Sequence, residues 1–349
     1  MAAPAPGVLV IGAGLAGSLL ALELRQRGAA VTLLVAGEAA TASAFSYGGL
    51  PGWAVAPTPL ARQAAGAARQ WRRLQQRHGD LGWRRCGLRL HGSAGSPLAR
   101  WLPFSRVDSA QLTQRLPDVL AAAGVALQRG VADRLSREGG LWRVDLAGGA
   151  ALTASTLVLA AGAGCRRLWP DLPPQWRLSW AGVLELPQPQ ANCLTLPQPL
   201  QRPQLERLAP QLSEPRWLVD AGLAPWGKGG LLGQISLVRP GLESGDSPPP
   251  PALMEQWLRQ GLEPLGSPFA AALAAAGHYR QVGVAFCSDG QPLVGPLAGQ
   301  PGLWIFSGFS GAFAQVPVLA PLLADWLAGE PSARRAAPER LRRLVRASA

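Results

Sequence analysis

A chain of 349 residues exceeds what one hydrophobic core usually holds, so two domains sharing a cleft are expected. With 48% hydrophobic and only 15% charged residues, the composition argues against disorder. The formal net charge of +12 allows an anionic partner, but the arginines are scattered, Lys228 is the only lysine, and biased codon usage explains the balance; no specific nucleic-acid footprint is expected.

Val8-Leu9-Val10-Ile11 is a continuous apolar run, as in a strand buried on both faces. A glycine turn follows, then a helix from Leu15 to Gln26 with Leu19, Leu20, Leu22 and Leu24 on its apolar face, closed by Gly28. Val31 to Val35 is the next buried strand, which completes a right-handed parallel βαβ unit. Pro59 to His78 reads as one helix, and Gly87 to His91 alternates like a half-exposed strand. Asp108 or Ser109 can cap a helix over Gln111 to Ala123, and Val125 to Gln128 resumes a strand. Strands follow at Trp142 to Leu146 and Thr156 to Ala160. After Pro170 the texture turns to proline, glutamine and leucine as far as Arg216, before a strand over Leu231 to Val238. Pro248 to Pro251 is a stiff loop, Leu253 to Leu262 is helical, and Leu303 to Phe306 and Phe313 to Leu327 close the pattern as strand and helix.

The turn after the first strand reads Gly12-Ala13-Gly14-Leu15-Ala16-Gly17, a GxGxxG between a buried strand and a helix. Gly12 permits the tight turn, Gly14 lets backbone approach a pyrophosphate, and Gly17 lets helix and strand pack closely. The helix then offers its unpaired N–H groups and positive dipole end to phosphate. The acidic residue expected at the end of the second strand, where it would hold ribose hydroxyls, is replaced by Val35; Glu38 is the nearest substitute. Cys86, Cys165, Cys193 and Cys287 show no CxxC and no zinc spacing, and no metal site is expected. They read as reduced thiols of a cytoplasmic protein. No signal peptide precedes Val8, and the apolar run to Leu24 is interrupted by glycines, so no transmembrane segment is expected. Repeated Trp–Arg neighbours such as Trp71-Arg72 and Arg216-Trp217 fall on different elements, and buried tryptophan beside snorkelling arginine explains them better than a base-stacking stripe.

Several later segments add a resemblance. Ala42-Ser43 followed by Gly48-Gly49, Trp71 to Leu74, Trp83 to Leu88, Val107-Asp108 with Leu112, Leu157 to Gly164 (LVLAAGAG), Asp289-Gly290-Gln291-Pro292 with Gly295, and Gly308-Phe309-Ser310-Gly311 occur in order along the chain. In this order they resemble the D-amino acid oxidase family of flavoenzymes, which includes glycine and sarcosine oxidases. The resemblance implies an α/β fold: a Rossmann-like FAD-binding domain with an inserted mixed-sheet substrate-binding domain. It divides the chain into FAD-binding segments 1–82, 105–168 and 285–349, the last with its basic tail, and substrate segments 83–104 and 169–284. FAD, held non-covalently, would touch the GxGxxG turn, Glu38, Ser43, Gly48, Gly49, Val131, Ala161, Gly162 and Asp289. The loop Gly308, Phe309, Ser310, Gly311 and Ala312 would complete its site. A glycine turn opening a helix there places N–H groups beside the flavin, where they stabilise the negative charge of the reduced ring.

The same resemblance implies an FAD-dependent oxidoreductase of the amine or amino-acid oxidase or dehydrogenase type, oxidising a C–N or C–O bond of a small or medium organic substrate. No general base is named, because hydride delivery needs mainly orientation. Family members acting on amino acids carry G-x-R-P, whose arginine clamps the substrate carboxylate; here Gly283-Val284-Ala285-Phe286 puts Ala285 at that position. Tyr47, Arg239 and Arg280 are the other substrate candidates, and His278 reads as a structural residue. The expected partner is therefore a small molecule, less anionic or larger than glycine. A flavoenzyme modifying a tRNA side group and a non-catalytic FAD-binding protein of the same fold remain as alternatives.

Overall fold

The apolar run Val8–Ile11 lies at the centre of a six-stranded sheet because both of its faces are covered. The computed structural model describes residues 7–37, 41–51, 58–90, 102–191, 193–196, 200–242, 247–266 and 268–345. From one edge the sheet runs Leu293–Pro296, Leu303–Ser307, Thr156–Leu159, Val8–Ile11, Val31–Val35 and Ala126–Arg129. All its neighbours pair in parallel except the outermost strand, Leu293–Pro296. On one face, helices Leu15–Gln26 and Ala312–Ala328 bury Leu19, Leu20, Val316 and Leu319 with Val10 and Phe306. The other face meets a three-stranded sheet, Ala132–Glu138, Leu141–Leu146 and Ala151–Ala154, through Trp142 and Val144 against Leu9 and Leu157. This is the Rossmann-like half of the expected α/β fold.

A second, eight-stranded mixed sheet stands beside it, in the order Tyr279–Cys287, Trp176–Leu186, Gly229–Val238, Arg216–Trp226, Cys193–Leu196, Trp83–Leu90, Leu102–Val107 and Gly49–Leu50. Cys193–Leu196 pairs in parallel with Trp83–Leu90; the other pairs are antiparallel. Helices Pro251–Leu262 and Phe269–Ala274 cover one face, with Met254, Leu258 and Phe269 against Ile235 and Leu237. The opposite face looks toward the first sheet and carries the short helix Arg202–Leu208, whose Leu205 packs on Val238 and Phe286. Strands Leu102–Val107 and Tyr279–Cys287 run across the expected 104/105 and 284/285 divisions, because pairing within the second sheet continues to Val107 and Cys287.

Local chemistry explains where elements differ from the sequence reading. The helix expected from Pro59 to His78 is two helices, Pro59–Ala64 and Ala67–His78, with Gly66 capping the second. Glycine is a poor helix interior residue, so the break falls there. Asp108 caps helix Ser109–Ala122 by accepting the Ala110 and Gln111 N–H groups at 3.0 and 3.1 Å. The basic tail forms a further helix, Pro331–Arg342, anchored by buried Leu341 and Val345. Among the described residues no helix is long and apolar enough to cross a membrane.

Candidate functional site

The first turn has the backbone its glycines predict. Gly12 sits at φ +108°, and a Cβ there would stand 2.5 Å from the Ala160 carbonyl oxygen. A Cβ on Gly17 would lie 1.9 Å from the Gly12 carbonyl oxygen, so any larger residue forces helix and turn apart. Gly14 opens helix Leu15–Gln26 without a side-chain cap of its own. Instead the Leu15 N–H donates to the Ser43 hydroxyl at 2.9 Å. Ala13 and Ala16 back the turn against the core, and the Ala13 carbonyl accepts the Ser18 hydroxyl. Beside this turn, Ala161 leads into a single helical turn, Gly162–Gly164, where Gly162 at φ +53° faces open space. Val131 is exposed, and its carbonyl accepts the Ala147 N–H at 2.8 Å. Glu38 lies outside the described residues.

The loop from Ser43 to Gly49 is held from the substrate side. The Ser109 hydroxyl lies 2.8 and 2.9 Å from the carbonyls of Ala44 and Ser46. The Trp226 indole donates to the Ala44 carbonyl at 2.8 Å and its ring stacks on Phe45. Gly48, at φ +64°, passes so close to Val107 that a Cβ would sit 1.9 Å from its carbonyl oxygen. Gly49 then pairs opposite Arg106 in the second sheet. Arg106 is buried, which lowers its pKa, and donates to the carbonyls of Tyr47 and Pro225 at 3.2 and 2.5 Å. Tyr47 is buried too: its hydroxyl reaches the carbonyls of Asp220 and Gly222 at 3.3 and 3.4 Å, and burial pushes its pKa well up. Gly222 makes room for the ring, since a Cβ would stand 2.5 Å from it.

The third turn belongs to the C-terminal segment. Gly308 lies at φ +84°, and a Cβ there would meet the Cys287 sulfur at 2.5 Å. Phe309 is buried edge-on to Phe306, with ring centroids 4.8 Å apart. Gly311 opens helix Ala312–Ala328 with no side-chain cap, and its own N–H donates to Gln315 Oε1 at 3.4 Å. The Asp289 carboxylate accepts the Gln291 N–H and closes its own exposed turn. Thus the turn Gly12 to Gly17 meets Ser43 through the Leu15 N–H and Ala160-Ala161 through Gly12, and helix Ala312–Ala328 adjoins Gly49–Leu50, so that glycine turns and two helix starts neighbour one another. Such a set suits an anionic dinucleotide with a long flat ring.

The substrate candidates are scattered. Arg239 donates to the Ser247 carbonyl at 2.7 Å, and exposed Arg280 pairs with Glu185 at 2.8 Å. Ala285 packs against the buried cluster that contains Trp176 of the second sheet and Leu293 of the first. Only Tyr47 lies beside the cofactor-side loop. Arg106 and Trp226 escaped the sequence reading, and Ser109 entered it only as a possible helix cap, because each holds a loop remote in the chain. Arg202 escaped it as well; it donates to the Ser310 carbonyl from the stretch rich in proline, glutamine and leucine.

Solved structures with this architecture include iminodiacetate oxidase from Chelativorans sp. BNC1, with a TM-score of 0.69, 18% identity, and coverage of 93% of this chain and 96% of that one. Glycine oxidase from Geobacillus kaustophilus matches equally, with a TM-score of 0.69, 18% identity, and coverage of 93% and 94%. In sequence, the chain is 28% identical over 415 aligned positions to the tRNA 5-methylaminomethyl-2-thiouridine biosynthesis bifunctional protein MnmC of Verminephrobacter eiseniae (strain EF01-2). That match covers 95% of this chain, which spans 62% of the relative's length. The family model described as FAD dependent oxidoreductase (DAO) matches residues 7–104 and 99–326, and with the three glycine turns in place the chain belongs to that family of FAD-dependent oxidoreductases.

Proposed function

We propose that the chain oxidises a C–N bond of a small or medium amine. What carries this reading is the family match together with glycine turns at Gly12, Gly48 and Gly308, each at positive φ, and Tyr47 buried beside the second of them. The solved structures of like fold are named for amine and amino-acid substrates, which favours C–N over C–O chemistry. Bound FAD supplies the hydride acceptor. Gly12, Gly14 and Gly17 with the Leu15 N–H and Ser43 would hold its pyrophosphate. Gly48, Gly49 and Gly162 would leave room for the ring. The start of helix Ala312–Ala328 would stabilise the negative charge that the ring gains. The chain's remaining task is to orient the substrate C–H and keep water out, work suited to an apolar sheet face.

The test is anaerobic mixing with primary and secondary amines, amino acids and alcohols, following loss of the flavin band near the visible maximum. Bleaching by an amine class supports the reading. No bleaching by any member, with FAD bound, would favour a non-catalytic flavoprotein. A second reading rests on the 28% identity to a tRNA-modifying relative: the amine would be carried on a nucleoside. Bleaching by modified tRNA alone would select it.

A further inference from the structure

Helix Arg202–Leu208 is fixed to the C-terminal glycine turn at two points. Leu205 shares a buried cluster with Phe286, the residue before Cys287, whose N–H donates to the Gly308 carbonyl at 3.1 Å. From the first turn of the helix, Arg202 donates to the Ser310 carbonyl. The start of the helix is held in its own right. The Asp220 carboxylate of strand Arg216–Trp226 accepts the N–H groups of Gln201 and Arg202 at 2.6 and 3.0 Å. Through its carbonyl, Asp220 also accepts the Tyr47 hydroxyl at 3.3 Å, so the same residue ties the loop from Ser43 to Gly49. The backbone under Arg202 is thus pinned, and its charge is held against the turn.

One helical turn on, Glu206 Oε1 lies 3.5 Å from Arg202 Nε and completes an ion pair. The Glu206 side chain is 3% exposed and that of Arg202 20%, so solvent screens the pair weakly and its field carries into the neighbouring turn. Burial pushes the Glu206 pKa up, while Arg202 first and then Ser310 oppose the shift. A carboxylate so buried keeps its charge only beside its cation. The other titratable groups around it are Arg207 on its own helix, Asp220, and the Cys287 thiol at the end of strand Tyr279–Cys287.

We infer that Arg202 is a positioning residue for reduction of the flavin: its guanidinium, fixed on the Ser310 carbonyl, favours the negative charge of the reduced ring, and Glu206 sets how much of that field the ring feels. The inference rests on the proposed placement of the start of helix Ala312–Ala328 beside the flavin, and it assigns Arg202 no contact with substrate. A hydride brings two electrons and one proton to the neutral ring, which leaves one negative charge there. A cation held near that charge makes reduction easier, and a counter-charge one turn behind it limits the gain. Arg202 and Glu206 therefore act in opposite directions on one equilibrium. They also act as a unit, because Glu206 without Arg202 takes up a proton and drops out of the balance.

The experiment measures the two-electron midpoint potential of the FAD-loaded protein against reference dyes, with no substrate added, at about pH 9, far above the carboxylate range. R202Q should shift the reduction equilibrium roughly tenfold toward the oxidised form, which is a potential about 30 mV lower. R202K keeps the charge and should shift it less. E206Q should move the potential the other way, upward. The double variant R202Q/E206Q should match R202Q, since Glu206 has no effect without its cation. A residue that only held the turn in shape would give shifts of the same sign in R202Q and E206Q, or none, and either result overturns the inference. Should R202Q fail to load FAD, E206Q still decides: an unchanged or lowered potential overturns it, and a raised one supports it. Bleaching by an amine with potentials unmoved defeats the role of this pair alone. Opposed shifts without bleaching by any amine defeat the proposed reaction alone.

Discussion

Cys287 lies directly beneath Gly308, and burial pushes its thiol up to about 12. Cys165, buried as well, is raised to about 11. A nucleophile for flavin attachment must reach the thiolate form, and at neutral pH these two do so in only a minute fraction. The loop Thr41 to Gly49 contributes no histidine that might take their place. FAD should therefore be held without a covalent bond: acid precipitation should move the yellow colour into the supernatant, and a pellet that stays yellow after washing would refute this. At this scale the glycines were legible. Gly12, Gly17, Gly48 and Gly308 each have a backbone conformation or a neighbour that excludes any side chain, and a sequence records such a demand as glycine. Arg202 was not legible. Its partner Ser310 is 108 residues away, and nothing in Gln201-Arg202-Pro203-Gln204 distinguishes an arginine that holds a distant turn from a solvated charge.

Among the elements, helix Ala312–Ala328 is the most dependent on help from outside. It contains Pro317 and Pro321, and a proline has no N–H for the carbonyl four residues earlier. For Pro317 that orphan is the Phe313 carbonyl, in the first turn and next to the flavin-side glycines. The Trp71 indole fills the gap, donating to the Phe313 carbonyl at 2.7 Å while its ring stacks on Phe313. Trp71 is completely buried, so no water stands ready to substitute. Trp71→Phe should cost about 1–3 kcal/mol of unfolding free energy, as expected for a buried acceptor left unpaired. Urea denaturation of the FAD-free protein reads it directly; a midpoint equal to wild type would show that the carbonyl finds another donor. The sequence marked this helix correctly, and marked Trp71 as part of the helix read from Pro59 to His78, of the family resemblance and of a Trp–Arg pair, but not as a hydrogen-bond donor. The hydrogen bond was out of reach because it joins helices brought together by the fold. The same reason hid the strand Cys193–Leu196, four residues that pair in the sheet from within a proline- and glutamine-rich stretch.

For the molecule as a whole, strands Val8–Ile11, Val31–Val35 and Thr156–Leu159 of the first sheet were legible as buried apolar runs, whereas the second sheet followed from the family resemblance, with only Gly87 to His91 and Leu231 to Val238 read as strands from their own residues. The consequence of the +12 net charge did not follow, because charge reports a surface only once its residues are placed. Part of it now has a place. Helix Pro331–Arg342 presents exposed Arg334, Arg335 and Arg342, while Arg340 pairs with Asp325 and Arg343 with Glu339. This helix packs on Ala312–Ala328 through Leu341 and Val345. If the positive charge is a general anion surface, RNA should bind through phosphates alone. Changing Arg334, Arg335 and Arg342 to glutamine should then lower the slope of log K against log salt by about 2–3, by the same amount for tRNA and for a homopolymer of equal length. Filter binding across a salt series measures both slopes. A tRNA affinity that survives these changes and exceeds that of the homopolymer at physiological salt would locate recognition at the cleft, and would make the nucleoside-borne amine the better reading of the substrate.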